Sequence, residues 1–261
     1  MKLDRRPYTP WVLRALVAAS LLALIGCGVG STSSPYVVAR QPTLPSDAPS
    51  VRFVFAGDGH AHDQVEEGGE GDPLAGIAPL LASPDIFFFN HDGAFGEAES
   101  DCPGFVPGAA LWSRPETARW FARAPLNVAG LANNHVLDCG EAGVPATVEA
   151  LTAQGILTLG AGATLDEACE GRVVRVGETS VAFLAYHAFQ DDLGGAGPDT
   201  AGAATWNGCK GPERIAALSA AGHLVVVSLH LHLGPSWTAR THPENRAIVE
   251  QALDAGADIV I

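Results

Sequence analysis

An α/β fold is what this 261-residue sequence predicts, on three observations. Short, β-rich apolar runs alternate along the chain with segments of helical character. One of those runs, Pro84 to Phe89, is apolar on both faces, as in a strand at the centre of a parallel sheet. Several runs stop abruptly on Asp, Asn or His, the placing of polar groups at the carboxyl edge of a sheet where α/β proteins put their ligands.

The first elements fall within residues that are not part of that fold. Lys2, Arg5 and Arg6 form a positive start, and Trp11 to Ile25 is apolar apart from Arg14 and Ser20. The run is short and interrupted for a membrane span and has the make-up of an export signal. It ends in Leu24-Ile25-Gly26-Cys27, which resembles a bacterial lipobox, so residues 1–26 are expected to be a lipoprotein signal peptide and Cys27 the lipidated first residue of the mature chain. Residues 27–50, rich in Ser, Pro, Gly and Thr, read as a flexible tether, and the folded domain as 51–261. This implies a bacterial cell-envelope protein, periplasmic or on the outer membrane, held to the membrane by its N-terminal lipid.

Within the domain, Val51 to Ala56 alternates and reads as a strand running into Gly57-Asp58-Gly59-His60; His62 and Asp63 follow. Gly68 to Asp72 is an acidic loop and Pro73 to Leu81 is helix-like. The strand Pro84 to Phe89 delivers Asn90-His91-Asp92-Gly93. Glu97 to Pro115 reads as loop and Pro115 to Ala124 as helix. Leu126 to Ala129 is a strand that opens into Leu131-Ala132-Asn133-Asn134-His135, with Asp138 close behind. Val144 to Gln154 is helical and stopped by Gly155. Ile156 to Leu159 is a strand ending in Gly160-Ala161-Gly162-Ala163, read as a tight turn, and Thr164 to Ala168 is one helical turn. Val173–Val176 and Val181–Tyr186 flank Gly177-Glu178-Thr179-Ser180 as a hairpin. Gln190 to Lys210 reads as a loop over the site, Pro212 to Ala221 as helix, and Leu224 to Leu229 as the strongest strand, leading to His230-Leu231-His232. Pro243 to Ala255 is helical and Asp258 to Ile261 begins another strand.

Composition narrows the function. The chain is 47% hydrophobic and 17% charged, enough apolar residues for a substantial core. Its formal charge is −14; without residues 1–26 it keeps 11 of 15 basic and 28 of 29 acidic residues, a net of −17. Such a surface repels nucleic-acid phosphates, so no nucleic acid is expected as a partner. No phosphate-binding Gly-rich loop, nucleophile-elbow Ser or dinucleotide fingerprint is present. With Cys27 lipidated, Cys102, Cys139, Cys169 and Cys209 remain, consistent with two disulfides in an oxidising compartment; three pairings are possible, and Cys102–Cys139 with Cys169–Cys209 is the one named here. The oligomeric state is left open.

Taken together the strand ends offer Asp58 and His60, Asp92, Asn134 and His135, and His230 and His232. Any one of these is an ordinary polar loop; their recurrence at four strand ends is what points to a shared site. Oxygen and imidazole donors without thiolates suit two divalent cations, Mn, Fe or Zn, in a hydrolytic site. In this order the residues resemble the calcineurin-like metallophosphoesterase superfamily, and more closely its CapA branch of poly-γ-glutamate capsule synthesis proteins. The resemblance rests on Gly57-Asp58, Asn90-His91-Asp92-Gly93, Leu131 to His135 with Asp138 and Gly140, Val227 to His230, and Asp254 to Ile261. It implies a metallophosphoesterase-like α/β/β/α sandwich. It also implies Asp58, His60, Asp92, Asn134 and one of His230 or His232 as metal ligands, Asp92 bridging, and His135 as general acid. Four departures stand out. Asn90-His91-Asp92 replaces an Asn-x-Glu, Cys139 stands where a Tyr is usual, a single His-Trp-Gly after the late strand is matched by His230 through the strand but by His232 through Gly234, and the chain ends at Ile261 where the family continues into a Gly-His-x-x-His block, so a C-terminally truncated site is expected. The expected function is a metal-dependent hydrolase of capsule or poly-γ-glutamate-type polymer metabolism. A phosphodiesterase or nucleotidase on small phosphate esters, or a non-catalytic polymer-binding accessory lipoprotein, are the alternatives.

Overall fold

A computed structural model describes residues 50–61, 74–81, 83–104, 110–188, 194–231 and 242–261. The signal peptide, Cys27, the tether up to residue 49, His62, Asp63 and His232 lie outside them. In chain order the elements are β1 (Phe53–Gly59), a 3-10 turn (Ala75–Ile77) running into the single turn α1 (Ala78–Leu81), β2 (Ile86–His91), β3 (Ala94–Phe95) and β4 (Trp112–Ser113). After a 3-10 turn at Glu99–Asp101 between β3 and β4, a further 3-10 run (Pro115–Phe121) leads to β5 (Leu126–Gly130), α2 (Gly140–Thr152), β6 (Ile156–Leu159), β7 (Ala161–Gly162) and α3 (Leu165–Ala168). Then come β8 (Arg172–Val176), β9 (Thr179–His187), β10 (Gly202–Ala203), α4 (Gly211–Ala220), β11 (Leu224–His230), α5 (Pro243–Asp254) and β12 (Ile259–Val260).

Two four-stranded sheets carry the fold. The first has the order β1-β2-β5-β6 and is parallel throughout; the second has the order β12-β11-β9-β8, parallel except for the β8–β9 hairpin. Side chains alternate across a strand, so β2 feeds two cores at once. Ile86 and Phe88 face the second sheet, where Phe88 stacks on Phe183 with ring centroids 6.0 Å apart. Phe87 and Phe89 face the other way, into a cluster with Phe121, Val144 and Leu151 from the 3-10 run and α2. Ile215 of α4 and Ala252 of α5 close the outer side of the second sheet. The layers are therefore helix, sheet, sheet, helix. Burying each of these aromatic rings contributes about 2–3 kcal/mol, which is why β2 specifies its position so strongly.

Two disulfides link Cys102 to Cys139 and Cys169 to Cys209. The first lies in a small satellite core with Ala94 and Trp112, and the second beside Trp206 and Ile215 in the main core.

Several expectations shift. Of the expected helix Pro115–Ala124, Pro115–Phe121 forms a seven-residue 3-10 run and not an α-helix, with carbonyls in and beside it taken by side chains: Thr117 Oγ1 donates to Arg114, Arg119 to Glu116 and Arg123 to Trp120. The described part of Pro73–Leu81 holds only a 3-10 turn and one α-turn. Within the 190–210 connection, Gly202 and Ala203 pair with β7. The Gly160 turn is a close-packing point between the sheets: at φ +87° a Cβ there would lie 2.9 Å from those of Ala132 and Ala185. β1 also runs further than its apolar pattern, so that Asp58 lies within the strand.

Candidate functional site

The carboxyl ends of β1, β2, β5, β9 and β11 meet at one edge of the sandwich, between the two sheets. Asp58 reaches this gap through an irregularity in β1. Phe55 pairs with Phe88, but Asp58 pairs with Asn90, so three residues of β1 span two of β2. An unbroken register would set Asp58 opposite His91, on the wrong face; the extra residue turns its carboxylate toward the second sheet.

A hydrogen-bonded chain then crosses from sheet to sheet. Asn90 Nδ2 donates to Asp58 Oδ1 at 2.7 Å and lies 3.3 Å from His230 Nδ1. His230 Nε2 is 2.8 Å from Asn134 Oδ1. An amide oxygen only accepts, so Nε2 donates this bond, and Nδ1 lies on the Asp58 side, 3.9 Å from Asp58 Oδ1. The flip of the Asn90 amide is fixed from behind: Asn133 Nδ2 donates to Asn90 Oδ1 and to the His91 carbonyl, while Asn133 Oδ1 accepts from the His135 amide. Asn133 is wholly buried.

His135 and Asp138 form a second unit on the turn after β5. Asp138 Oδ2 accepts from His135 Nδ1 at 2.6 Å and from the Leu111 amide at 2.6 Å. The hydrogen bond from Asp138 raises the His135 pKa, burial opposes it, and the charges of Asp138, Asp92 and Asp58 add to the rise. Nδ1 is committed, which leaves Nε2 as the atom able to give or take a proton.

Asp92 follows β2 directly and is buried; its Oδ1 has no hydrogen-bond partner. Burial and then the Asp58 charge push its carboxyl up to about 6, against the pull of His135 and His60. His91, between Asn90 and Asp92 in sequence, points the other way. Its ring sits against Phe95 at 4.6 Å and edge-on to Phe121 at 5.8 Å, and burial first, then His60, lowers it to about 4.

The structure thus brings Asp58, Asn134 and His230 into one linked cluster, with Asp92 and His135 close enough for their charges to be felt. His60 is exposed at the end of β1 and acts on Asp92 and His91 through its charge. Among the described residues no three His, Cys, Asp or Glu side chains converge as a metal-holding group. The donors linked by contacts are the Asp58 carboxylate, reached through Asn90, His230 and the Asn134 amide oxygen, with the Asp92 carboxylate near enough to feel the Asp58 charge. With one buried, unpartnered carboxylate oxygen among them, these groups fit a hard or borderline divalent cation.

Reading the sequence alone missed three residues here. Asn90 links Asp58 to His230, and strand parity could have found it, since Asn90 shares a face with Phe88. Asn133 was quoted only as part of a motif. His187, buried at the last position of β9, lies beside His230 with ring centroids 6.0 Å apart; the expected strand stopped one residue short of it.

The chain matches the family model described as "Bacterial capsule synthesis protein PGA_cap" over residues 52–261. Over 147 residues it is 32% identical to two proteins of Mycobacterium tuberculosis, from strains CDC 1551 / Oshkosh and ATCC 25618 / H37Rv, each named "Probable polyglutamine synthesis accessory protein". Each match takes in 51% of this chain and 38% of the relative, so this chain covers well under half of those relatives' length.

Proposed function

We propose, from the premise that this chain belongs to the bacterial capsule synthesis protein family PGA_cap, that it is an envelope lipoprotein that hydrolyses bonds in a capsule or poly-γ-glutamate-type polymer with the help of divalent cations. The observation that carries this reading is the chain of contacts from Asp58 through Asn90 and His230 to Asn134, with Asp92 and His135 beside it. Asp58, Asp92, Asn134 and His230 would hold the cations, with His60 and His232 as further candidate ligands. Bound cations of this kind lower the pKa of a water and neutralise charge on an acyl or phosphoryl oxygen. The protein's own part is positional. Asn133 and Asn90 aim the ligands, and Asp138 holds His135 so that Nε2 can protonate a leaving group. Two disulfides and a Cys27 lipobox support an exported, lipid-anchored protein; mass spectrometry of the mature N-terminus tests this, and an unmodified chain starting elsewhere rejects it. No helix of the described residues is long and apolar enough to cross a membrane.

A second reading, a polymer-binding accessory protein without catalysis, is favoured by the lack of three converging His, Cys, Asp or Glu ligands among the described residues. Elemental analysis of the full-length protein, with turnover of γ-glutamyl polymer and of p-nitrophenyl phosphate esters, separates the readings. The hydrolase is expected to carry metal and cleave the polymer, and Asp92→Asn to lose both. Preference for phosphate esters identifies a phosphoesterase instead. A metal-free, inactive wild type leaves the accessory reading.

A further inference from the structure

The Cys102–Cys139 disulfide is placed where it can govern the proton-donor pair. Cys139 directly follows Asp138. The Asp138 carboxylate is 2% exposed, and one oxygen accepts both the His135 ring proton and the Leu111 amide. The backbone carbonyl of Asp138 accepts from the Gly104 amide at 2.9 Å. Of the two outside donors, Gly104 lies two residues after Cys102, and Leu111 precedes Trp112, which packs against the disulfide; the Leu111 carbonyl in turn accepts from Ala94 at the start of β3. The surroundings are cut to the cystine. A Cβ on Gly96 would lie 2.3 Å from Cys102 Sγ, and one on Gly143 would lie 2.6 Å from Cys139 Cβ. Thr147 of α2 accepts from the Phe95 amide, which holds β3 against the same helix.

A turn that carries a His and an Asp three residues apart does not by itself set the carboxylate's direction. Here that direction is set by the Leu111 amide, and Leu111 is held there by its neighbour Trp112, which pairs with Ala94 and packs in one cluster with Cys102 and Cys139. We infer that the Cys102–Cys139 disulfide is a positioning element of the candidate site: it holds Gly104 and, through Trp112 packed beside it, Leu111 onto Asp138, and thereby fixes the His135 imidazole. The inference rests on the reading of His135 as proton donor for its consequence in turnover, but its geometry can be tested without turnover. Opening the disulfide leaves the fold and releases the dyad, whereas opening Cys169–Cys209, which lies by α3 and α4, does not touch the dyad.

The test uses the full-length protein. A short imidazole N–H to carboxylate bond gives a downfield proton resonance, assigned to His135 by its disappearance in His135→Gln. The expected result is that this resonance persists in the Cys169→Ala/Cys209→Ala variant and vanishes in Cys102→Ala/Cys139→Ala. Amide exchange at Gly104 and Leu111 is expected to rise by about tenfold or more in the latter alone. Should Cys102→Ala/Cys139→Ala fail to fold by far-ultraviolet circular dichroism, the Cys169→Ala/Cys209→Ala protein, which keeps only Cys102–Cys139, is treated with a water-soluble phosphine. With one water this yields two thiols and the phosphine oxide, and the same signals are read. An unchanged resonance and unchanged protection after loss of Cys102–Cys139 overturn the proposal, as does their equal loss in both disulfide variants, or a wild type without the resonance. A wild type that shows the resonance but no hydrolysis counts against the hydrolase reading alone.

Discussion

Asn90 holds one side of the site in place while contributing no charge. Its amide nitrogen faces Asp58 and His230, and its oxygen is held by Asn133. Removing it frees two candidate ligands from their directions, so Asn90→Ala is expected to weaken divalent-cation binding by about 10–100-fold, read by calorimetric titration, without unfolding the protein. The neighbouring His91 affects stability by a different route. Buried between Phe95 and Phe121, it is held down to about 4 from its ordinary 6.5. A base with a lowered folded-state pKa stabilises the fold above the unfolded value, and that stability is lost as pH falls from about 6.5 to about 4. The loss from pH 7 to pH 4 comes to about 3 kcal/mol. Urea midpoints across that range are expected to fall less steeply in His91→Leu than in the wild type, and parallel curves would show that His91 is not the group responsible. The motif Asn90-His91-Asp92 could be read as polar from sequence, but not the opposite facing of its members, which follows from strand parity and from what lies on each side of β2.

At the scale of elements, alternation and apolar runs made the strands legible. β2, β5, β6, β9 and β11 fall within a few residues of where the pattern puts them, because burial on both faces leaves them few alternatives. Three features could not be read that way. The extra residue in β1 is a matter of register with β2 and has no local signature. The 3-10 form of Pro115–Phe121 depends on where its side chains find carbonyls. Four cysteines admit three pairings, and only the fold brings particular ones together. Two expectations follow from this level. Gly160→Ala is expected to destabilise by about 1–3 kcal/mol, since it combines a left-handed backbone with Cβ contacts of 2.9 Å, while Gly57→Ala, with open space around it, is expected to stay within about 0.5 kcal/mol. Chemical denaturation of the pair checks this, and equal effects would contradict the packing argument. Replacing both Cys169 and Cys209 by Ala opens a link between residues 40 apart and is expected to cost about 2–4 kcal/mol in the same assay.

For the molecule as a whole, the arrangement explains how residues far apart in sequence serve one place. Parallel strands in each sheet send their carboxyl ends the same way, and stacking the sheets sets Asp58 and Asn90 of one against His230 of the other. The candidate site exists only while both sheets are packed, with Phe88 on Phe183 close beneath it. The recurrence of polar strand ends made this edge visible from sequence, and the family match fixes the class of the fold; whether that edge holds cations decides between the hydrolase and the accessory readings. The most direct measurement is the stoichiometry and affinity of Mn²⁺ and Zn²⁺ for the full-length protein by calorimetric titration, in wild type, Asp58→Asn and His230→Gln. The account predicts binding in the wild type and its loss, or a weakening of about 100-fold or more, in both variants. A wild type that binds neither cation, or a His230→Gln protein that binds as the wild type does, would contradict it.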